Sequence, residues 1–165
     1  AGGTVAYNPR GREVGFARKI MTNDLGSSHP MFRGKGRVFD APCIHYDEVI
    51  QLPDSATLLA SNSHSLVQAA VVPLGRSEVW AVQYHPEFDL EQLAQLYTLY
   101  ADDMVQQGFF ECRDSLGRYV EMLRALAANP SDAGLAWQLG IDEDITDDGR
   151  RRMEILNWIQ SRVIA

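Results

Sequence analysis

Short apolar runs separated by turn residues occupy the chain up to about residue 88, and this pattern predicts strands joined by loops. The strands predicted on this basis are 14–21, 38–44, 57–61, 66–72 and 79–84. Residues 75–77, Gly-Arg-Ser, separate the last two runs closely enough to predict a hairpin. The first half of the chain therefore has the pattern of a sheet with its connecting loops.

After residue 88 the apolar positions recur at steps of three and four, which is typical of helices. Asp89 and Gln92 resemble a capping box, and Gly108 is a plausible helix end. The first helix is expected to turn one face inward, formed by Leu90, Leu93, Leu96, Tyr97, Tyr100 and Met104. Further helices are predicted over 114–128, after Ser131, and from Asp148, the last with Met153, Leu156, Ile159 and Val163 inward. We therefore expect an α/β portion over residues 1–88 and a helical extension over 89–165 that packs on it.

Composition excludes some classes of function. The chain has 165 residues, with 15 Lys and Arg against 22 Asp and Glu, and a formal charge of −7. A nucleic-acid groove needs clustered positive charge, so no nucleic-acid partner is expected. No stretch approaches the ~18 apolar residues of a membrane span, so no membrane partner is expected. Cys43 and Cys112 are far apart and form no zinc motif, which favours free thiols in a reducing cytoplasm.

The predicted strand 79–84 is the most informative segment for chemistry. It is apolar on both faces, which predicts a position in the middle of a covered sheet, and His85 falls at its carboxyl end, where such sheets place their sites. Pro86 keeps the chain extended, so that Glu87 points the same way as His85. A carboxylate on one imidazole nitrogen leaves the other to act as a base, which is two-thirds of a nucleophile–His–acid triad. A hydrogen-bonded structural histidine is the alternative.

Residues 82–87, Val-Gln-Tyr-His-Pro-Glu, closely resemble the hexapeptide of class I (triad-type) glutamine amidotransferases. Three upstream segments resemble further blocks of the same family: Gly-Arg-Glu-Val-Gly at 11–15, His-Pro-Met-Phe at 29–32 followed by Gly34, and His-Tyr-Asp at 45–47 with the residues up to Ser61. The four blocks stand in family order within residues 2–88. The sequence is similar to bacterial stand-alone members of the GMP-synthase-like type.

The resemblance implies an α/β fold with a class I glutamine amidotransferase-like (flavodoxin-like) sheet, from which N-terminal strands are absent, and a helical C-terminal extension. It implies that glutamine is hydrolysed to release ammonia for a synthase domain or protein, without a cofactor. His85 would act as base and then acid, and Glu87 would orient it. Tyr46 is carried over as a substrate-binding position, although relatives often have Gly there. His45 is carried over with it, with support of the turn as its expected role.

The family nucleophile is a Cys in a Gly-x-Cys-x-Gly-x-Gln elbow, and no such string occurs in these 165 residues. The resemblance places that elbow shortly before Gly2 and Gly3, so the sequence is expected to be the C-terminal part of an amidotransferase and inactive alone. Cys43 is expected to be buried in a strand, and Cys112 lies in the helical tail. Gln83 is expected to have a structural role.

Two other functions stay open at this point. One is a γ-glutamyl peptide hydrolase with the same Cys-His-Glu apparatus, and the other is a non-catalytic interaction module whose working part is the helical tail. His29 and His64 are expected in solvated or loop-capping roles. The acidic run 142–148 lacks the features of a calcium loop, and the histidine spacing predicts no metal site.

Overall fold

A computed structural model describes residues 2–164 and divides them into two compact units. The first unit contains residues 2–87 together with 149–164, and the second contains residues 88–148. The sequence-based division assigned everything after residue 88 to one helical extension. In the structure the last segment belongs with the first unit, because its final helix contacts the short turn at Pro30–Phe32.

The first unit consists of seven strands and a few helices. The strands are β1 Thr4–Tyr7, β2 Glu13–Thr22, β3 Val38–His45, β4 Asp47–Gln51, β5 Thr57–Ser61, β6 Ala69–Leu74 and β7 Ser77–Val82. The helices are α1 Asp24–Ser28, the 3₁₀ turn Pro30–Phe32 and, at the end of the chain, α8 Met153–Arg162. Helix α7, Asp148–Arg151, begins at the boundary between the units.

Five strands form one antiparallel sheet in the order β3-β2-β5-β6-β7, and β1 pairs with β4 in a separate ribbon. Strands β6 and β7 form the predicted hairpin, with Leu74 opposite Ser77. Beyond β7, the backbone N–H of His85 donates to the carbonyl of Pro42 on β3 at 2.7 Å. Since β3 and β7 are the two outer strands, this bond shows that the sheet curls until its edges meet.

The sequence placed the strand at 79–84 in the middle of a covered sheet, and that placement is wrong for the described residues. Strand β7 lies at the edge and pairs only with β6 in this part of the chain. Val79 is 43% exposed, whereas Tyr84, just beyond the strand, is buried in the core. The apolar residues of β7 therefore form a surface that the described residues leave partly uncovered.

The core of the first unit lies inside the curled sheet, where aromatic rings contact one another. Phe39 packs between Phe32 and Tyr84, with ring centroids 5.8 and 5.6 Å apart. The other buried members are Ala17, Ile20, Met31, Ala41, Cys43, Leu59, Ala60, Ala69 and Val71. This core fixes the strand ends from which the candidate site projects.

Helix α8 is held by polar side chains, and the predicted inward face is wrong at Leu156 and Val163, whereas Met153 and Ile159 are partly buried. Glu154 and Asn157 are buried, whereas Leu156 and Val163 are exposed. Lys35 Nζ contacts both carboxylate oxygens of Glu154 at 2.7 and 2.8 Å, and Asn157 Nδ2 donates to the carbonyls of Met31 and Arg33, each at 2.9 Å. The burial of Glu154 and Asn157 is tolerated because both side chains have hydrogen-bond partners.

The second unit contains only helices among its regular elements: α2 Leu90–Leu99, α3 Ala101–Gln106, α4 Arg113–Ala128, α5 Ala133–Leu139 and α6 Glu143–Thr146. The capping box of Asp89 and Gln92 is confirmed. The predicted single helix breaks at Tyr100, which is 36% exposed, and Asp132 rather than Ser131 caps α5. Tyr97, Phe110 and Tyr119 form an aromatic cluster within this unit.

No helix within residues 2–164 is both long enough and apolar enough to cross a lipid bilayer.

Candidate functional site

His85 and Glu87 come together as the sequence predicted. His85 Nδ1 lies 2.8 Å from Glu87 Oε1, and because a carboxylate only accepts, the ring donates from Nδ1. The two side chains are 32% and 52% exposed, respectively. This hydrogen bond fixes the tautomer in which Nε2 is the nitrogen that exchanges protons with a reactant. The pair thus has the geometry of an oriented base.

The chain on either side of His85 is anchored by buried contacts. The backbone N–H of His85 donates to Pro42, and the preceding Tyr84 donates its hydroxyl to Glu154 Oε1 at 2.5 Å. Burial raises the pKa of Tyr84 well above its usual range, and the neighbouring Glu154 carboxylate raises it further. Tyr84 therefore stays neutral and donates, so that His85 projects from a fixed backbone position.

His45 and Tyr46 lie at the corner between β3 and β4, three and four residues beyond Pro42. The backbone N–H of Asn8 donates to the carbonyl of Tyr46 at 3.0 Å. The Tyr46 ring is 36% exposed and stacks on Tyr7, with centroids 6.2 Å apart, while the guanidinium of Arg12 lies 4.7 Å from the ring centroid. Tyr46 thus presents a partly exposed aromatic surface on a backbone that Asn8, just after β1, holds.

The side chain of His45 is buried and bridges two acceptors. Its Nε2 lies 2.8 Å from Glu13 Oε2, and its Nδ1 lies 2.9 Å from the carbonyl oxygen of Asp47. Both side chains of the His45–Glu13 pair are 8% exposed. These contacts agree with the expected support of the turn by His45.

Sequence reasoning missed a buried polar cluster around Glu13. Besides His45, Asn62 Nδ2 donates to Glu13 Oε1 at 2.7 Å and Gln68 Nε2 donates to Glu13 Oε2 at 2.8 Å. Burial alone would raise the pKa of Glu13, but the hydrogen bonds from His45, Asn62 and Gln68, together with nearby His64, lower it overall. Glu13 is therefore a carboxylate despite its burial. Its only sequence signal is its place in the block at 11–15.

His64 and His29 have local roles. His64 Nδ1 lies 3.2 Å from Asn8 Nδ2 at the edge of the Glu13 cluster, so His64 is more buried than a solvated loop residue. His29 accepts from the backbone N–H of Met31 at 3.1 Å, and this confirms a capping role. Burial lowers the pKa of His29, as does the charge of Arg162, while Glu78 opposes them.

The two cysteines differ sharply in their surroundings. Cys43 is buried in β3 as predicted, and burial raises its pKa well above the usual value, with a further increase from Glu13. Cys112 is exposed before α4, and hydrogen bonds from Ser115 and Asp114 lower its pKa. A protonated, enclosed thiol is a poor nucleophile, so Cys43 does not fit that role.

Gln83 joins the sheet through its backbone, because its N–H donates to the carbonyl of Gln68 at 2.9 Å. Both residues border a cavity of about 320 Å³ with mainly apolar walls, which include Leu52, Val72 and Ala81. Within residues 2–164, no group of three or more His, Cys, Asp or Glu side chains is placed to hold a metal ion.

Comparison with known proteins gives consistent matches. Residues 1–99 match the family described as glutamine amidotransferase class-I. A γ-glutamyl-L-1-hydroxyisopropylamide hydrolase from Pseudomonas sp. is 33% identical over 155 residues, which cover 92% of this chain and 51% of that protein.

Solved structures show the same fold. A glutamine amidotransferase from Methylobacillus flagellatus matches with a TM-score of 0.59 and 16% identity, covering 96% of this chain and 56% of the other. A glutamine amidotransferase from Thermotoga maritima matches with a TM-score of 0.54 and 18% identity, covering 88% and 56%. The chain thus spans about half the length of the relatives that it matches.

Proposed function

Because the chain belongs to the class I glutamine amidotransferase family, we propose that His85 and Glu87 are the base and the orienting acid of a Cys-His-Glu triad that hydrolyses glutamine. The observation that carries this proposal is the 2.8 Å contact between His85 Nδ1 and Glu87 Oε1 at the end of a family-matching segment. The relatives are about twice as long as the region that they share with this chain. We propose that the nucleophilic cysteine lies in a part of the natural protein that corresponds to the other half of these relatives.

In the proposed reaction, His85 Nε2 takes the proton of the cysteine thiol, and the resulting thiolate attacks the side-chain amide carbon of glutamine. His85 Nε2 donates a proton to the departing nitrogen, so that ammonia leaves and a γ-glutamyl thioester forms. His85 then takes a proton from water, which attacks the thioester and releases glutamate and the thiol. Glu87 accepts from Nδ1 throughout and stabilises the imidazolium that forms. The proposal assigns the substrate's main-chain contacts to the corner at His45 and Tyr46.

The relative from Pseudomonas favours a second candidate of the same chemistry. That protein is named for hydrolysis of a γ-glutamyl amide, in which the departing nitrogen carries an alkyl group. The same triad can protonate either departing nitrogen, since ammonia and an alkylamine leave from tetrahedral intermediates that differ only in the substituent on that nitrogen. Cleavage of a γ-glutamyl amide is therefore the second proposed activity, and a synthase that accepts ammonia would be a partner only for glutaminase activity.

We also propose a cytoplasmic location, which rests on the two free cysteines, Cys43 and Cys112.

Product analysis tests both candidates. The full-length natural protein is incubated with glutamine and, separately, with γ-glutamyl amides of small alkylamines, and glutamate, ammonia and amine are quantified. Glutamate with ammonia from glutamine supports the amidotransferase, and preference for the alkylamides supports the hydrolase. Absence of glutamate from every substrate, with the protein folded, would refute the proposal.

A further inference from the structure

The Glu13 cluster connects four separate segments to the corner that precedes β4. Glu13 begins β2, Asn62 follows β5, Gln68 precedes β6, and His45 ends β3. The side chains of Asn62, Gln68 and His45 all donate to the same carboxylate, at 2.7, 2.8 and 2.8 Å. A carboxylate with two oxygens and several donors is a fixed point to which these segments are attached.

The hydrogen-bond directions at His45 lead from this fixed point to the backbone of Asp47. The carbonyl oxygen of Asp47 can only accept, so His45 Nδ1 carries a proton. Nε2 faces Glu13, which already accepts from Asn62 and Gln68 and so presents acceptor oxygens to the ring. The His45 ring therefore donates from both nitrogens and forms a rigid strut between the Glu13 carboxylate and the carbonyl oxygen of Asp47.

We propose that Glu13 is a positioning residue, which holds the backbone of residues 45–47 through the ring of His45. This inference rests on the proposed function for its effect on catalysis, because that function assigns substrate contacts to the same corner. Its structural part, the strut itself, is independent of any activity. Glu13 acts through His45 and contacts no reacting atom.

The isosteric variant Glu13→Gln keeps a hydrogen-bond partner for each side chain that contacts position 13. In Glu13→Gln, the new amide oxygen continues to accept from Asn62, whose own Oδ1 is held by the backbone N–H groups of His64 and Ser65. The new amide nitrogen then faces His45 and Gln68. Gln68 Oε1 is buried and has no hydrogen-bond partner among the described residues, so Gln68 can turn its oxygen to accept. His45 keeps its Nδ1 proton and accepts at Nε2.

Glu13→Ala, in contrast, removes the acceptor and leaves its buried donors without a partner. We expect this variant to raise KM for the γ-glutamyl substrate by about tenfold or more. The chemical step uses His85, so kcat should stay within about threefold. Glu13→Gln should keep KM close to the natural value. The matched control is Asp40→Ala, which removes another buried carboxylate, one that accepts from Arg18 and from the backbone N–H of Lys19.

The test combines steady-state kinetics of the full-length protein with ¹⁵N NMR of its histidine rings, in which the His45 signals are identified by their loss in His45→Gln. The wild type should show a slowly exchanging proton on Nδ1 of His45. That proton should persist in Glu13→Gln and exchange rapidly in Glu13→Ala. The proposed role of the His45 ring would be refuted if Nδ1 carried no proton in the wild type, or if the Nδ1 proton were lost in Glu13→Gln. Both results can be obtained even if Glu13→Ala does not fold.

The kinetic results separate the two proposals. An unchanged KM in folded Glu13→Ala, or an equal rise of KM in Asp40→Ala, would overturn the positioning role while wild-type turnover preserves the proposed function. If the wild type turns over no γ-glutamyl substrate, the proposed function fails, and the NMR signals of His45 then decide the strut by themselves.

Discussion

Two histidine–carboxylate pairs in this chain have the same 2.8 Å contact and very different surroundings. His85 and Glu87 are two residues apart, and their side chains are 32% and 52% exposed. His45 and Glu13 are 32 residues apart, and each side chain is 8% exposed. The exposed pair can exchange protons with a reactant, whereas the buried pair is surrounded by fixed donors and acceptors. The surroundings, and not the contact itself, distinguish the pair proposed for catalysis from the pair proposed for structural support.

The largest expected effect follows from removal of the exposed ring. His85→Ala should lower kcat/KM for the γ-glutamyl substrate by about a thousandfold, because general acid–base catalysis is lost. Thermal unfolding should change little, since the ring is partly exposed. His29→Ala is the control, because it removes another histidine, one that caps the turn at Pro30–Phe32 and packs against Trp80. A His85→Ala variant with normal turnover would make the exposed pair a structural one and would remove the contrast.

A smaller effect is expected from the orienting acid. Glu87→Gln should lower kcat by about tenfold to a hundredfold, because an amide can still contact Nδ1 but stabilises the imidazolium less. The half-exposed position limits the effect, since water replaces part of the lost interaction. Glu78→Gln, a change of a partly exposed glutamate that pairs with Arg162, should leave kcat unchanged. Equal rates for Glu87→Gln and the wild type would show that His85 needs no carboxylate.

Acid should destabilise the protein through the buried pair, because Glu13 must then take up a proton. The folded-state pKa of Glu13 lies below its ordinary value, so the unfolded chain binds the proton more readily. The stabilisation is therefore present above the unfolded-state pKa of a glutamate, about 4.3, and is lost as pH falls through the lower folded-state value. The urea midpoint of the wild type should fall more steeply on acidification than that of Glu13→Gln. Parallel pH profiles of the two proteins would contradict this.

The smallest expected effect concerns Cys43. Cys43→Ala should leave kcat/KM unchanged, since this buried thiol has a raised pKa and does not supply the nucleophile. The free energy of unfolding should fall by about 1 kcal/mol, because a small core side chain is shortened. Cys112→Ala provides the exposed counterpart. A folded Cys43→Ala protein without activity would place the nucleophile beside the Glu13 cluster and reverse the roles of the two regions.

Contacts between residues close in sequence were predictable, and contacts between distant residues were not. The capping box of Asp89 with Gln92 and the pair of His85 with Glu87 each lie within three positions, so spacing and strand or helix geometry suffice. The partners of Glu13 lie 32, 49 and 55 positions away. Only the folded register of the strands brings them together, and no local pattern contains that information.

The same limit explains the error at helix α8. Apolar periodicity placed Leu156 and Val163 inward, on the assumption that the apolar face of a helix is the buried one. Burial of Glu154 depends on Lys35, which is 119 positions away, and burial of Asn157 depends on carbonyls more than 120 positions away. A glutamate and an asparagine that are buried by distant partners cannot be distinguished, in the sequence, from the same residues facing solvent.

The polar attachment of α8 also constrains how this protein can diverge. An apolar stripe accepts a helix that slides or rotates slightly, but hydrogen bonds with fixed directions accept only one register. One residue inserted between Glu154 and Asn157 would turn Asn157 by about 100° relative to Glu154, so that the helix could not contact Lys35 and the carbonyls of Met31 and Arg33 at the same time. The spacing of Glu154 and Asn157 should consequently be under stronger selection than the identity of the residues between them, so that homologous chains differ here by substitution and seldom by insertion or deletion.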